Sequence, residues 1–511
     1  MTLSILIWLP LVVAVLGAIW GPAAPRVAPR LAVLGSLAAL GIAISFVVRW
    51  KTGGGLQFVT DRAWISELGI SYKLGLDGLN VVLVLLTTFL FAAATIGASL
   101  REWERPGQFY LWLGLAETAV LGAFCAQDLI LFVGFFDLML IPFYFLTGIW
   151  GSGDRQARVR ATTKLVIYTM VGSLLMLAAA VATGVLAASQ SDAALSFAFS
   201  DLVGKLSTGS QEWIFLCFAA AFLVKMPAFP LHGWLPDGYR AMPLPALAVF
   251  SGILSKVAAY GFLRIVLPIF PAASVHFQTL LLLIALASIL YGSAMAFTTT
   301  NARLVVAYSS VAQMGFITFG IFALNEDGVQ GALLQMVNHG LVTLPLFFLV
   351  GLLAARAGGS ADLRDMGGIA FRAPVLAALL LIVALATLAM PGSANFVGEF
   401  LILLGVFKTK IVFAFVASVG VVLASVYVLR MFIRALHNRV GPQVDSRELS
   451  LGDLAAIAPV VLVVLALALY PQFGLKRSEP AAKASVAAVT PQVNVIADGS
   501  TPYAPIADEA P

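Results

Sequence analysis

The sequence predicts an all-α integral membrane protein of about fourteen transmembrane helices, and three observations carry that prediction. Of its 511 residues, 61% are hydrophobic and only 11% are charged, with a mean hydropathy of +0.99; a water-soluble domain of this length could not tolerate such values. A spanning helix needs about 20 mostly apolar residues, and runs of that length recur along the whole chain between short polar or Pro/Gly-containing joints. No ten-residue alternation of apolar and polar positions marks a membrane β-barrel, the other architecture that satisfies its backbone inside lipid.

The candidate spans are centred near residues 11, 40, 90, 116, 138, 175, 225, 255, 287, 313, 341, 390, 422 and 463. The first, Thr2 to Trp20, has no basic stretch before it and is followed by further spans, so it reads as a helix that is kept and not as a cleaved signal. Residues 1–107 hold helices one to three, 108–267 helices four to eight, 277–438 helices nine to thirteen, and 451–474 helix fourteen. From residue 478 to 511 the chain is Ala/Pro/Val-rich and polar, with too little large apolar content to pack, and is expected to be a disordered external tail.

An even number of crossings puts both termini on one side. Loops assigned alternately place sixteen Lys/Arg on the side that includes Arg155, Arg158 and Arg160, against ten on the other. The positive-inside rule makes the first set cytoplasmic, so both termini of this inner-membrane, multi-pass chain are expected on the periplasmic side. A net charge of +5 could suggest nucleic acid, but the basic residues are spread thinly over loops and form no stripe, which excludes that partner and leaves the bilayer.

Two spans are interrupted alike. In the seventh, Lys225-Met226-Pro227-Ala228-Phe229-Pro230 puts two prolines mid-span, and in the twelfth Met390-Pro391-Gly392-Ser393 does the equivalent. Proline removes a backbone donor and clashes with the carbonyl four residues back, so both helices should break near the midplane. Irregular backbone at that depth is tolerated only where it is buried in protein or lines a cavity. The breaks lie five spans apart, so helices four to eight and nine to thirteen read as two repeats, and the odd offset makes them inverted.

An ionisable group deep in a span is costly and marks a functional site by default. Glu117 falls mid-span in helix four, Asp137 in helix five, Lys225 in helix seven, Lys256 in helix eight and Glu399 in helix twelve, with Asn338 and His339 in helix eleven. Packing alone does not require five acids and amines at this depth on five helices; a proton path does. Burial loosens an amine's hold on its proton and a nearby carboxylate tightens it, so moving an acid loads or unloads the amine. Asp137 and Lys225 are expected to form such a switch pair, Lys256 to relay along the midplane, and Glu399 to exchange protons with the far side; His339 suits the same relay. Lys164, nearer the start of helix six, reads equally well as a carrier or as a side chain reaching for the interface. His232, in PLHGWLPD after the break, could aid proton entry, although hydrogen bonding to a freed carbonyl is slightly the better reading.

Cys125 and Cys217 stand alone in apolar runs, which leaves no thiolate framework for zinc or an iron–sulfur cluster. No dinucleotide fingerprint, P-loop or c-type haem motif is present, and no two histidines share a helix face at ligand spacing, so neither a redox cofactor nor a metal is expected in this chain.

Over about residues 70–440 the sequence resembles the antiporter-like family shared by respiratory complex I and multisubunit cation/proton antiporters. The residues that carry the likeness are Leu76-Asp77-Gly78-Leu79, Phe135-Phe136-Asp137 running to Pro142, Lys225-Met226-Pro227 with PLHGWLPD, GILSK ending at Lys256, AYSSVAQMGF, and MPGSANFVGEF ending at Phe400. The resemblance implies fourteen helices and a central hydrophilic axis whose protons are driven by NADH oxidation and quinone reduction elsewhere, with NADH, flavin, iron–sulfur clusters and quinone held by other subunits. Siblings of the L and N types usually carry lysine at the helix-twelve position, so Glu399 points to the third antiporter-like subunit of complex I, with L and N types expected to flank it. Rival readings are a subunit of a multisubunit sodium/proton antiporter and a membrane scaffold of a hydrogenase-type complex.

Three positions depart from the family pattern. Asp137 replaces the usual glutamate and, one methylene shorter, is expected to need a water or a small helix shift to reach Lys225. Gly238-Tyr239 stands where Ala-His is usual, and Gln313 where histidine is often found, which predicts a gap in the proton wire bridged by water.

Overall fold

A computed structural model describes the chain apart from residues 1, 21–23, 25, 54, 442 and 498–511. Almost all of it is helix. The N-terminal part contributes α1 (Leu3–Trp20), α2 (Val27–Val48) and α3 (Val81–Ser99), followed by α4 (Pro106–Cys125), which starts with proline at its first turn, where no amide donor is needed. Asp128 caps α5 (Leu129–Trp150) by accepting from the amides of Ile130 and Leu131, and Asp154 caps α6 (Arg155–Ser191). At 37 residues, α6 is roughly 55 Å long and projects beyond a hydrocarbon core of about 30 Å.

The seventh element is in two pieces, α7a (Thr208–Lys225) and α7b (Leu235–Ala241), and α8 (Leu244–Ile269) is continuous but carries two wide π-turns. Then follow α9 (Gln278–Thr298), α10 (Ala302–Ile321) capped by Asn301, and α11 (Glu326–Arg356) capped by Asn325 with Glu326 and Asp327 in its first turn. The twelfth element is again split, into α12a (Pro374–Thr387) and α12b (Ala394–Thr409); α13 (Ile411–Leu436) and α14 (Leu451–Leu469) complete the bundle, the last with a Ser450/Asp453 capping box. Among the described residues twelve helices are long and apolar enough to cross a membrane. The apolar windows of α8, α10 and α11 are wholly buried, whereas those of α1, α6, α13 and α14 are about one-third buried or less. The three buried helices form the centre, screened from lipid by the rest, and polar side chains are affordable on them for that reason.

Two segments differ from the sequence expectation. The loop after α2 is an antiparallel hairpin, β1 (Gln57–Ile65) and β2 (Ile70–Leu76), turning through Gly69 at φ 64°. The stretch expected to be a disordered tail from residue 478 is helical: α15 (Gln472–Ala487) and α16 (Thr490–Ala497), while 498–511 lie outside the described residues. Small residues suffice there, because Ser478, Ala482, Ser485 and Val489 repeat on one face and are buried. That helix lies against α11, where Gln330 donates to the Leu475 carbonyl at 3.1 Å.

The Leu76–Leu79 motif fixes the hairpin to the bundle. The Asp77 amide donates to Asn80 Oδ1 (2.8 Å), and Asn80 Nδ2 donates to the carbonyls of Gly75 (3.0 Å) and Phe124 (2.8 Å). Asp77 also forms an ion pair with Arg264 of α8, whose Nε donates to the Tyr260 hydroxyl at 3.0 Å. Both charges are only 15% exposed. Removing one partner strands the other, so Asp77→Ala is expected to destabilise the protein by about 3 kcal/mol, read as a lowered thermal unfolding midpoint that Asp77→Ala/Arg264→Leu partly restores.

Candidate functional site

The two helix breaks are built from satisfied backbone. After Lys225 the Phe229 amide donates to Ser288 Oγ of α9 (2.9 Å), and the Trp234 indole donates to the Val224 carbonyl (3.1 Å), so neighbouring side chains take up the groups that the prolines release. In the twelfth element the chain turns through Ala389 (φ 53°) and Gly392 (φ 90°), and Asn338 Nδ2 of α11 donates to the Ala394 carbonyl at 2.6 Å. Around that break the side-chain polar atoms of Ser393 and Asn395, Asn338 Oδ1 and His339 Nδ1 are buried without a protein partner.

Lys225, at the last turn of α7a, is buried under Phe136: Nζ donates to the Phe136 carbonyl at 3.3 Å and lies 4.4 Å from the ring centroid. Asp137, the next residue along α5, has one carboxylate oxygen buried without a partner and is hydrogen-bonded to Ser173 of α6. Among the described residues no acid forms an ion pair with Lys225. The expected direct pair is therefore open, in keeping with the short aspartate side chain. A cation over an aromatic face keeps part of its stabilisation without a counter-ion.

Lys256 is fully buried on α8 beside the first π-turn; Nζ donates to the Ser251 carbonyl (2.7 Å) and lies 3.3 Å from Ser255 Oγ. Ser251 Oγ meets Ser310 Oγ of α10 at 3.3 Å, and the Tyr239 hydroxyl hydrogen-bonds to Ser251. On α10, Ser309 bonds the Tyr427 hydroxyl of α13 (2.9 Å), and Gln313 Nε2 donates to Glu399 Oε1 at 2.8 Å. Gln335 of α11 donates to Gln313 Oε1 (2.7 Å) and approaches the same Glu399 oxygen at 3.4 Å. Gln313 reaches Glu399 directly, but an amide has no titrating proton, so this hydrogen bond does not close the expected gap in the proton wire. His339 is near enough for Lys256 to act on it electrostatically, and its Nε2 lies 3.3 Å from Thr343 Oγ1.

The buried polar groups thus fall into three sets, Lys225 with Asp137, Lys256 with Ser251, Ser310 and His339, and Glu399 with Gln313 and Gln335. Ser251, Gln335 and Tyr427 take part in these sets without standing out in the sequence, whereas Ser310 belongs to the run of hydroxyls in AYSSVAQMGF. Three expected members lie elsewhere. Glu117 faces a cavity of about 10 Å³ bounded by Pro10, Ser36, Thr95 and Tyr110, among α1 to α4. Lys164 is half-exposed and pairs with Asp237 at 2.5 Å, beside an open cavity of 280 Å³ that also touches Arg160 and Arg240. His232 is buried against Phe229 and Tyr291, with ring centroids 5.7 and 4.8 Å away. Among the described residues no group of three His, Cys, Asp or Glu could hold a metal ion.

Glu399 reaches Gln335 because α12b and α11 pack backbone to backbone. A Cβ on Gly331 would lie 2.7 Å from the Ile402 amide nitrogen and 2.8 Å from Leu401 Cβ. Gly331→Ala must push the two helices apart, at roughly 1–3 kcal/mol for an overpacked core. The expected result is a lower thermal midpoint together with slowed proton movement, whereas Ala332→Gly on the same helix should change stability alone.

The chain matches the family model described as NADH:quinone oxidoreductase/Mrp antiporter, TM, over residues 126–424. It is 36% identical over 483 residues to the NADH-quinone oxidoreductase subunit M of Rhodobacter capsulatus, covering 92% of this chain and 93% of that one. To the subunit of the same description from Escherichia coli it is 40% identical over 419 residues, covering 81% and 82% of the two chains. Its fold superimposes on a chain of respiratory complex I from Thermus thermophilus with a TM-score of 0.86 at 31% identity, over 96% of this chain and all (100%) of that one. A chain of the Mrp complex from a Dietzia species gives 0.80 at 21% identity, covering 97% and 99%, and shows a shared fold.

Proposed function

Since this chain belongs to the NADH:quinone oxidoreductase/Mrp antiporter transmembrane family, we propose that it is a proton-translocating membrane-arm subunit of an NADH-quinone oxidoreductase, of the M type that its relatives represent. It is a multi-pass membrane protein that works among other membrane subunits of a respiratory complex. The observation that carries the reading is the series of buried polar groups from Lys225 and Lys256 through Ser251, Ser310 and Gln313 to Glu399, centred on the wholly buried α8, α10 and α11. Packing gains nothing from buried amines and acids on such helices, whereas proton transfer needs them.

In this reading Lys225 takes a proton when Asp137 swings toward it, Lys256 and His339 pass charge along the series, and Glu399 exchanges with the outer side. Lys164 stands with Asp237 at an open cavity on the side that loop charges mark as inner, which supports it as a surface acceptor feeding the series. Glu117 has no step in that sequence. Breaks at the seventh and twelfth elements support two inverted repeats, α4 to α8 and α9 to α13, within a fourteen-span bundle whose termini face outward. L- and N-type subunits are the flanking partners in this arrangement; NADH, flavin, iron–sulfur clusters and quinone belong to other chains. The Mrp-type antiporter reading is weaker, since it shares the fold at 21% identity while the relatives of higher identity are oxidoreductase subunits.

Lys256→Met tests the reading. At equal levels of assembled complex it should lower NADH-driven proton uptake by membrane vesicles and quinone reduction together. Unchanged uptake in fully assembled complex would mean that the series is structural.

A further inference from the structure

Between α2, α3, α11, α14 and α15 lies a cavity of 290 Å³ walled by Leu83, Leu86, Phe89, Leu334, Val337 and Val463. Its volume approaches the lower limit of about 300 Å³ for ligand sites. The walls offer water no partner, and unfilled space forfeits dispersion contacts on every side. The cavity runs inward along α11 from Leu333 to Leu341, and α15 closes its outer end with Phe473, Gly474 and Ser478. Beside that end the Arg477 guanidinium covers the Phe473 ring, 4.1 Å from its centroid; Nη1 donates to the Phe473 carbonyl at 2.9 Å, and Nε is buried with no protein partner.

We propose that this cavity binds one phospholipid, with an acyl chain inside it and the phosphate on Arg477. A hydrocarbon tail gains no hydrophobic advantage by leaving the bilayer for protein, so the tail fills space and the charge at the mouth supplies selectivity. A guanidinium carries five N–H donors, of which Arg477 commits one to the Phe473 carbonyl, so its outer edge suits a phosphate oxygen, and Lys476, exposed next to it, adds a second cation that favours an anionic head group.

The test uses the intact complex in membranes fused with vesicles of phosphatidylglycerol that carries a photoactivatable diazirine at its acyl end. Labelling should concentrate on residues 83–89 and 333–341. Leu334→Trp should lower it by about tenfold while labels on lipid-facing α13 stay constant, and Arg477→Gln should remove a similar part of the preference for phosphatidylglycerol over phosphatidylcholine, the scale of one charge-assisted hydrogen bond. If Leu334→Trp impairs assembly, Val463→Trp narrows the same cavity from α14. The proposal is overturned by labels spread evenly over lipid-facing helices, by labelling that both tryptophans leave unchanged, by cross-links that show a neighbouring subunit or a quinone tail in the cavity, or by a headless diazirine alkane that labels as well as the phospholipid.

Discussion

Lys225→Ala is expected to reduce NADH-driven proton uptake by at least about tenfold, with quinone reduction falling alongside it, in line with the 10²–10⁴-fold range for removal of a proton-transferring group. Lys225 is the amine at the break of the seventh element; its nitrogen donates to the Phe136 carbonyl and lies over the Phe136 ring, with Asp137 near enough to act on it electrostatically. In the proposed path, alanine removes the group that takes up the proton and leaves Asp137 without its partner cation. A second substitution separates carriage from structure. Lys225→Arg keeps the charge and the contact with Phe136, but a guanidinium does not release its proton at any working pH. If arginine restores turnover, the lysine is a structural cation and the proposed step at this position is wrong; if arginine is as inactive as alanine at equal assembly, the amine carries the proton. Membrane vesicles with a pH-sensitive dye, normalised to assembled complex, report both.

Glu399→Gln should be nearly as damaging to pumping while leaving the protein intact. The glutamine amide has the shape of the carboxylate, and its oxygen can still accept from Gln313 Nε2 at 2.8 Å, but it cannot take up or release a proton. Coupled proton uptake is therefore expected to fall by about tenfold or more, with the thermal midpoint little changed. Glu399→Ala makes the contrast, because it takes from Gln313 Nε2 the acceptor it bonds at 2.8 Å, whereas Gln335 keeps Gln313 Oε1. Such a loss costs about 1–3 kcal/mol per group, so alanine should lower stability and activity together. Full pumping by Glu399→Gln would remove Glu399 from the path and leave it a packing acceptor.

Much of this arrangement could be read from the residues, and the rest could not for physical reasons. Length and apolarity place a helix in lipid whatever its neighbours, so the spans were legible, and proline chemistry located both breaks. Buried charge in a span is so unfavourable that Lys225, Lys256 and Glu399 announce themselves. Neutral polar groups do not. Thr87, Thr169 and Thr183 bond the carbonyl four residues back in their own helices, and nothing in the sequence separates them from Ser251 or Ser310, which bond across helices. Nor does depth in a span show which neighbours a residue faces, and so the sequence does not separate Glu117, which faces α1 to α3, from the acids at the centre. The hairpin and α15 were missed because each packs with alternating or small residues whose signal is faint beside the long apolar runs.

The contact of Gln313 with Glu399 has a consequence for how events in the two halves are linked. An amide can pass on polarisation through a hydrogen bond, yet it has no proton of its own to lend at neutral pH. Between the lysines and the terminal acid the chain therefore has an insulator to matter that is transparent to field. In the proposed path, one half would sense that the other is loaded before anything moves between them, and transport across that point would wait on water entering beside the amides. Such a junction lets information run ahead of cargo, so that a respiratory pump can hold its protons until the far side is ready.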